Sequence, residues 1–228
     1  IDRFICVSNK VYTEQVNSVA LDVQDKFRLV YSGIPLDTFK VIVKKVDPAC
    51  FSVGYAGRII ENKGIYVLAQ AIKQCVEQGI PIIFHYCGHG SDSEMMRFKY
   101  HLKSLNLTDK VINWGYLEDL NKFYSQLDVF VLPSIVPEAF GLALIEAMSK
   151  SIPVITTDSG AQGEIVTNHI NGYIVRSKSV EDLVVALKEL YYNIDERIVL
   201  GATGQKEVYA RFTSNKMVAD INNIIAEI

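Results

Sequence analysis

The chain has 228 residues, a formal net charge of -3 and 49% hydrophobic residues, enough for one sizeable α/β core or for one domain with a piece of another. The slight acidic balance argues against a general nucleic-acid binder. No apolar run approaches the roughly 20 residues needed to span a membrane, and no secretory leader is visible.

Strand-like and helix-like segments alternate along the chain. Phe4–Ser8 and Phe27–Tyr31 read as strands around a helix at Lys10–Leu21. Gly33-Ile34-Pro35 breaks the pattern, and Leu36–Cys50 reads as a polar, basic linker. Strands are expected at Ser52–Ala56, Pro81–Cys87, Val111–Trp114, Val129–Leu132, Val154–Thr156 and Tyr173–Val175. Helices are expected at Lys63–Glu77, Met95–Leu105, Leu117–Leu127, Leu142–Lys150, Val180–Tyr192, Glu196–Ala210 and Asn215–Glu227. The first of these seven places Val67, Leu68, Ala71 and Ile72 on one apolar face.

This alternation predicts parallel βαβ units in a doubly wound sheet. Ligands of such sheets bind beyond the C-terminal strand ends, near the switch in strand order. The glycine-bearing loops at Gly57, Gly88, Gly115 and Gly141 each follow a strand and are expected to gather on one rim. Cys6, Cys50, Cys75 and Cys87 form no CxxC pair, so reduced cysteines of a cytoplasmic protein are expected.

The densest signal is PEAFGLALIEAM, Pro137–Met148. It places Glu138 in a loop after a strand, Phe140-Gly141-Leu142 at the turn, and Glu146 inside the following helix. Glu146 faces the rim if Leu142, Ile145 and Met148 face elsewhere. Backbone N–H groups at such a turn form an anion site. The two acids can serve hydroxyl groups at opposite ends of one ligand. A ligand with a central diphosphate and a sugar at each end fits, and sugar nucleotides are such ligands. In GRIIENKG, Arg58 offers a planar fork for phosphate and Lys63 a compact charge, without need of a metal. The alternative is a solvated surface pair with Glu61. The loop Cys87–Gly90 lets backbone approach a ligand closely at Gly88 and Gly90, although a tight turn explains it equally well. Gly115, Tyr116 and Leu117 can border a nucleobase, with Tyr116 free to stack or simply to pack on the surface. The four histidines lack metal-ligand spacing.

In chain order these segments resemble the nucleotide-sugar-binding half of GT-B glycosyltransferases, in particular retaining family 4, the glycosyl transferases group 1. VYSGIPLDTF resembles the inter-domain segment and GRIIENKG the G-R-x(n)-K-G phosphate loop. CGHG stands at G-x-G, and WGYLEDLNKFYSQLDVFVLPS resembles the family's run into its PS turn. PEAFGLALIEAM is similar to the E-x7-E signature, SIPVITTDSGAQGEIV to the PV…GG…E[IL]V segment, and NGYIV to the NG[YF]LV strand. Ser32, Pro35, His89 and Ala161 depart from the usual pattern.

The resemblance implies a Rossmann-like C-terminal half of a GT-B fold with a remnant of the N-terminal half. The implied divisions are 1–35 for the acceptor-side remnant, 36–50 for the linker, 51–212 for the nucleotide-sugar-binding domain and 213–228 for a C-terminal helix. It implies that Arg58 and Lys63 bind and stabilise the leaving diphosphate and that Glu138 orients the donor hexose. Backbone groups of Phe140, Gly141 and Leu142 meet sugar and phosphate, Glu146 binds the ribose, and Gly57, Gly88, Gly90, Gly115, Tyr116 and Leu117 complete the donor site. The implied activity is metal-independent, retaining hexosyl transfer from a UDP- or GDP-sugar to a glycan or lipid-linked acceptor, in surface polysaccharide or glycoconjugate synthesis. The resemblance also implies a chain truncated to its donor part and inactive alone, placed in the cytoplasm or peripherally at the inner face of the membrane. A GT-B-like nucleotide-sugar epimerase and a non-catalytic sugar-nucleotide module are the alternatives.

Overall fold

The computed structural model describes residues 2–35 and 49–228. Residues 36–48, which hold all but the last two residues of the expected linker and the end of the inter-domain segment, lie outside the described residues. A small parallel pair, β1 (Phe4–Cys6) and β2 (Phe27–Leu29), encloses helices α1 (Asn9–Ser18) and α2 (Leu21–Gln24). The main series follows as β3 (Phe51–Ala56), α3 (Ile65–Glu77), β4 (Ile82–Cys87), α4 (Asp92–Ser104), β5 (Val111–Asn113) and α5 (Asn121–Tyr124). It continues through β6 (Val129–Leu132), α6 (Leu142–Met148), β7 (Val154–Thr157), β8 (Tyr173–Val175), α7 (Val180–Tyr192), α8 (Ile194–Arg211) and α9 (Ser214–Ile225).

Strands β3 to β8 form one parallel sheet in the order β5-β4-β3-β6-β7-β8. The chain moves outward from β3 to β5, then returns to the other side at β6. The switch in direction therefore lies between β3 and β6, where a doubly wound sheet leaves a crevice. Strands β3, β6 and β7 are buried at every position, as continuous apolar strands covered on both faces should be. Two apolar clusters cover the two faces. One centres on Phe51, Tyr55, Leu68, Ile72, Phe84 and Leu187, the other on Phe130, Leu144, Ile145, Met148 and Phe212.

Local chemistry sets the helix starts. Ser91 and Glu94 form a reciprocal capping box for α4, and the side chains of Ser179 and Thr213 cap α7 and α9. In α3 the buried face is Ile65, Leu68, Ala69, Ala71, Ile72 and Cys75, while Val67 is half-buried at its edge. The expected helix at Leu117–Leu127 is shorter. Asp119 accepts the Asn121 amide at 2.8 Å, which holds the preceding residues in a turn. At its other end the amides of Gln126 and Leu127 close back on Phe123 and Tyr124, three residues earlier. Cys6, Cys75 and Cys87 are buried free thiols and Cys50 is half-buried. Among the described residues no helix is long and apolar enough to cross a membrane.

Candidate donor site

The loops after β3, β4 and β5 are stitched together by their backbones. Gly57 donates to Cys87 O at 3.0 Å, Ile59 to His89 O at 2.9 Å, and Gly88 to Gly115 O at 2.8 Å. Gly88 has φ +135°, and a Cβ there would lie 1.8 Å from Gly57 O, so only glycine permits this approach. Across the switch, Ile135 N donates to Asn62 O at 2.9 Å and ties the β6 loop to the β3 loop.

Between those two loops lies a cleft of about 420 Å³. Gly57, Arg58, Lys63, Glu138, Phe140, Gly141 and Leu142 all line it, which unites seven of the residues anticipated from sequence. Gly88, Gly90, Gly115, Tyr116, Leu117 and Glu146 lie outside its lining. Lys63 Nζ stands 2.6 Å from Glu138 Oε1, and Ser134 Oγ donates to the same oxygen. Lys63 thus pairs with Glu138 and not with Glu61. Both side chains are largely buried, with 20% and 15% of their surfaces exposed. Arg58 is exposed and has no ion-pair partner among the described residues; its carbonyl accepts from the buried Tyr55 hydroxyl at 2.6 Å. Burial raises the Tyr55 phenol well above its ordinary value, so that hydroxyl stays a donor.

Gly141 precedes α6 with φ +121° and opens the first turn of that helix toward the cleft. Leu142 lies at the turn that opens α6, where its place in the donor site was expected. It is half exposed and lines the cleft, whereas Ile145 and Met148 are fully buried. The ring of Phe140 is buried against Tyr31 and Phe212, which leaves its backbone as the part available to a ligand.

Glu146 occupies a second microenvironment. Tyr124 OH donates to its Oε2 at 2.9 Å. Burial raises the Glu146 carboxyl above its ordinary value, opposed by the Tyr124 hydrogen bond and the Lys150 ammonium. Lys150 is buried, holds Asn121 Oδ1 at 2.5 Å, and is lowered by that burial. Tyr124 also adjoins Cys87, whose thiol donates to Gly115 O at 3.2 Å. This links Glu146 to the loop expected beside a base. On that loop Tyr116 is 68% exposed, and its ring meets His89 edge to face at 5.6 Å.

Sequence reasoning missed Ser134, Tyr124 and Tyr55, which orient the acids and the Arg58 backbone. Ser134 and Tyr124 stand inside motifs already singled out, four residues before Glu138 and four before Asp128 respectively. Val7 and Ser32 also line the cleft, and no sequence spacing points to them.

The model of the family described as glycosyl transferases group 1 matches residues 43–207. The chain belongs to this family. Among curated relatives, the Staphylococcus aureus capsular polysaccharide biosynthesis glycosyltransferase CapM is 30% identical over 190 residues, 80% of this chain and 50% of CapM. The Escherichia coli UDP-Gal:alpha-D-GlcNAc-diphosphoundecaprenol alpha-1,3-galactosyltransferase is 24% identical, over 81% of this chain and 50% of that enzyme. The chain therefore spans about half the length of these relatives. Among solved structures, Anabaena HepE in complex with UDP-glucose superposes with a TM-score of 0.90 at 18% identity, over 100% of this chain and 64% of that one. The chain thus has the Rossmann-like α/β fold found in GT-B glycosyltransferases, as its motifs suggested. Among the described residues, no group of three His, Cys, Asp or Glu side chains could hold a metal ion.

Proposed function

We propose that this chain is the donor-binding part of a retaining hexosyltransferase that uses a nucleoside diphosphate sugar and serves surface-glycan assembly. The observation that carries this reading is the meeting of Arg58, Lys63, Glu138 and the Gly141 turn in one cleft at the switch point of the sheet. Breaking the bond between the sugar and the β-phosphate loads negative charge on the phosphate and positive charge on the sugar. Arg58, Lys63 and the amides after Gly141 meet the first charge in a fixed array, without a metal. Glu138, anchored by Ser134, stands where it can take sugar hydroxyls and face the second. Glu146 takes the ribose hydroxyls, and Gly115–Leu117 border the base. Retention at the anomeric carbon is inferred from the family resemblance.

CapM's role in capsule synthesis favours surface-glycan assembly, and the UDP-sugars of the galactosyltransferase and of HepE favour a UDP-hexose as donor. We infer that residues 51–212 form the donor domain and 1–35 part of the acceptor side, that the chain alone transfers little, and that it works in the cytoplasm or at the inner membrane face. Calorimetry with UDP, GDP, ADP and their hexose conjugates tests the cleft, and binding of none of them overturns the reading. NMR analysis of products, made on a protein of the relatives' length, tests the reaction. An α-linked transferred hexose is expected, whereas an epimerised nucleotide sugar, or unchanged donor, identifies one of the two alternatives instead.

A further inference from the structure

We propose that the short turn Ala161–Glu164 yokes α1 to the acid of the cleft, and that Glu164 is the residue that positions α1 and thereby the cleft wall. A helix leaves its first amides without intrahelical partners and favours negative charge there. Helix α1 has no acid of its own in its first turn. Ser8, fully buried, satisfies only the Val11 amide, at 3.2 Å.

The remaining need is met from more than 150 residues away. Glu164 Oε2 accepts from Asn9 N at 2.7 Å, and Oε1 from Lys10 N at 2.8 Å. Tyr31 OH donates to Oε2 at 3.0 Å, so the same carboxylate also grips the segment after β2. Lys10 itself pairs with Glu14, which leaves Glu164 to answer the helix end and not the lysine. These are charge-assisted bonds, roughly twice as strong as neutral ones. Arg211 steadies the assembly by donating to Glu164 O at 3.2 Å and stacking over Tyr31.

The other end of the turn grips Glu138. Ala161 N donates to Glu138 O at 3.0 Å, and a Cβ at Gly160 would lie 2.4 Å from Glu138 N. The turn is thus wedged between the backbone of Glu138 and the first turn of α1. Val7 and Ser32, which flank the segments that Glu164 holds, line the cleft with Lys63 and Glu138. Releasing Glu164 frees that wall on the side of the cleft assigned to sugar and diphosphate, an assignment that rests on the proposed function.

The test compares wild type with Glu164→Ala and Glu164→Gln by amide hydrogen exchange and by calorimetry with UDP and UDP-glucose. The alanine variant is expected to lose protection at Asn9 and Lys10 at least tenfold, with the β3 and β4 amides unchanged. Glutamine, with one carbonyl oxygen, is expected to restore part of it. UDP affinity should stay within about twofold while UDP-glucose affinity falls about tenfold. Unchanged exchange at Asn9 and Lys10 overturns the yoke. Lost protection with unchanged UDP-glucose affinity overturns its influence on the cleft. Global loss of protection in both variants makes Glu164 a general stability residue and also overturns the proposal. If wild type binds neither nucleotide, the donor reading fails separately, and exchange at Val7 and Ser32 decides whether Glu164 holds the wall.

Discussion

Lys63 Nζ lies 2.6 Å from Glu138 Oε1, an ion pair that joins the loop after β3 to the loop after β6 across the switch point of the sheet. An ammonium has three donors, and this contact occupies one of them. The others remain for a phosphate, so Lys63 can hold the acid and the ligand together. In a protein of the relatives' length, Lys63→Ala is expected to lower kcat by roughly 10²–10³, comparable to losing one preorganised donor at a developing anion. Ser134 still donates to Glu138 and the cleft lets water reach it, so the stability loss should stay below the about 3–5 kcal/mol of a pair broken in the core. Near-normal turnover in a well-folded variant would remove Lys63 from the proposed mechanism.

With Glu146 on the ribose, as proposed, nucleotide binding depends on pH. Burial holds its carboxyl above the ordinary 4.5, against the Tyr124 hydrogen bond and Lys150. The ionised carboxylate, an acceptor at both oxygens, takes ribose hydroxyls better than the protonated acid, which keeps less acceptor capacity. Nucleotide affinity should therefore begin to fall at a higher pH than an ordinary glutamate would allow, as the solution is acidified through the raised value. Glu146→Gln should flatten that acid limb and weaken nucleotide binding by about 10–100-fold, the worth of a hydrogen bond to a charged group. Stability runs the other way. A carboxyl raised in the fold is ionised at an energetic penalty above its folded value, and the penalty vanishes below its unfolded value. The ligand-free glutamine variant should melt higher than wild type at neutral pH and converge with it in acid. Calorimetry and thermal melts across pH check both signs.

The strands were legible because buried parallel strands are continuous apolar runs, and Val129–Leu132 and Tyr173–Val175 match their expected limits. The cluster of Arg58, Lys63, Glu138 and Gly141 was legible because a doubly wound topology forces every post-strand loop to one edge. What escaped was set by side-chain hydrogen bonds and by distance along the chain. The helix expected at Leu117–Leu127 shrank because Asp119 competes for the Asn121 amide. Nothing in local periodicity connects Glu164 to Asn9 and Lys10, since that contact exists only once the chain has returned on itself.

Gly64 and Gly115 share a left-handed conformation, φ +72° and +65°, but not surroundings. At Gly115 an added Cβ meets nothing within 4 Å. Gly115→Ala should lose only the conformational preference, about 1–2 kcal/mol. At Gly64 the Cβ would fall 1.8 Å from the Pro133 carbonyl oxygen, and both partners are backbone. Gly64→Ala should destabilise by about 3 kcal/mol or more, or a Tm loss of roughly 6–12 °C. It should also weaken nucleotide binding, because the displaced residue adjoins Lys63. Equal Tm losses for the two alanine variants would contradict the close approach of the β3 and β6 loops.

Asp128 separates stability from function. It opens the run into β6, with Oδ2 accepting from Ser52 N at 2.8 Å and Oδ1 lying 3.4 Å from Arg197 Nη1. Both side chains are buried, and the guanidinium also stacks over Phe51 at 5.3 Å from its centroid. Truncating the acid strands a buried cation and a strand amide together. Such losses amount to about 3–5 kcal/mol, which outweighs any gain from relieving desolvation of the acid itself. Asp128→Ala should therefore show a large drop in the denaturation midpoint while the folded fraction keeps wild-type nucleotide affinity, because neither partner lines the cleft. Asp128→Asn keeps an acceptor for Ser52 and should lie between the two. If the alanine variant instead loses affinity with an unchanged midpoint, the pair acts on the site, and its assignment to the core is wrong.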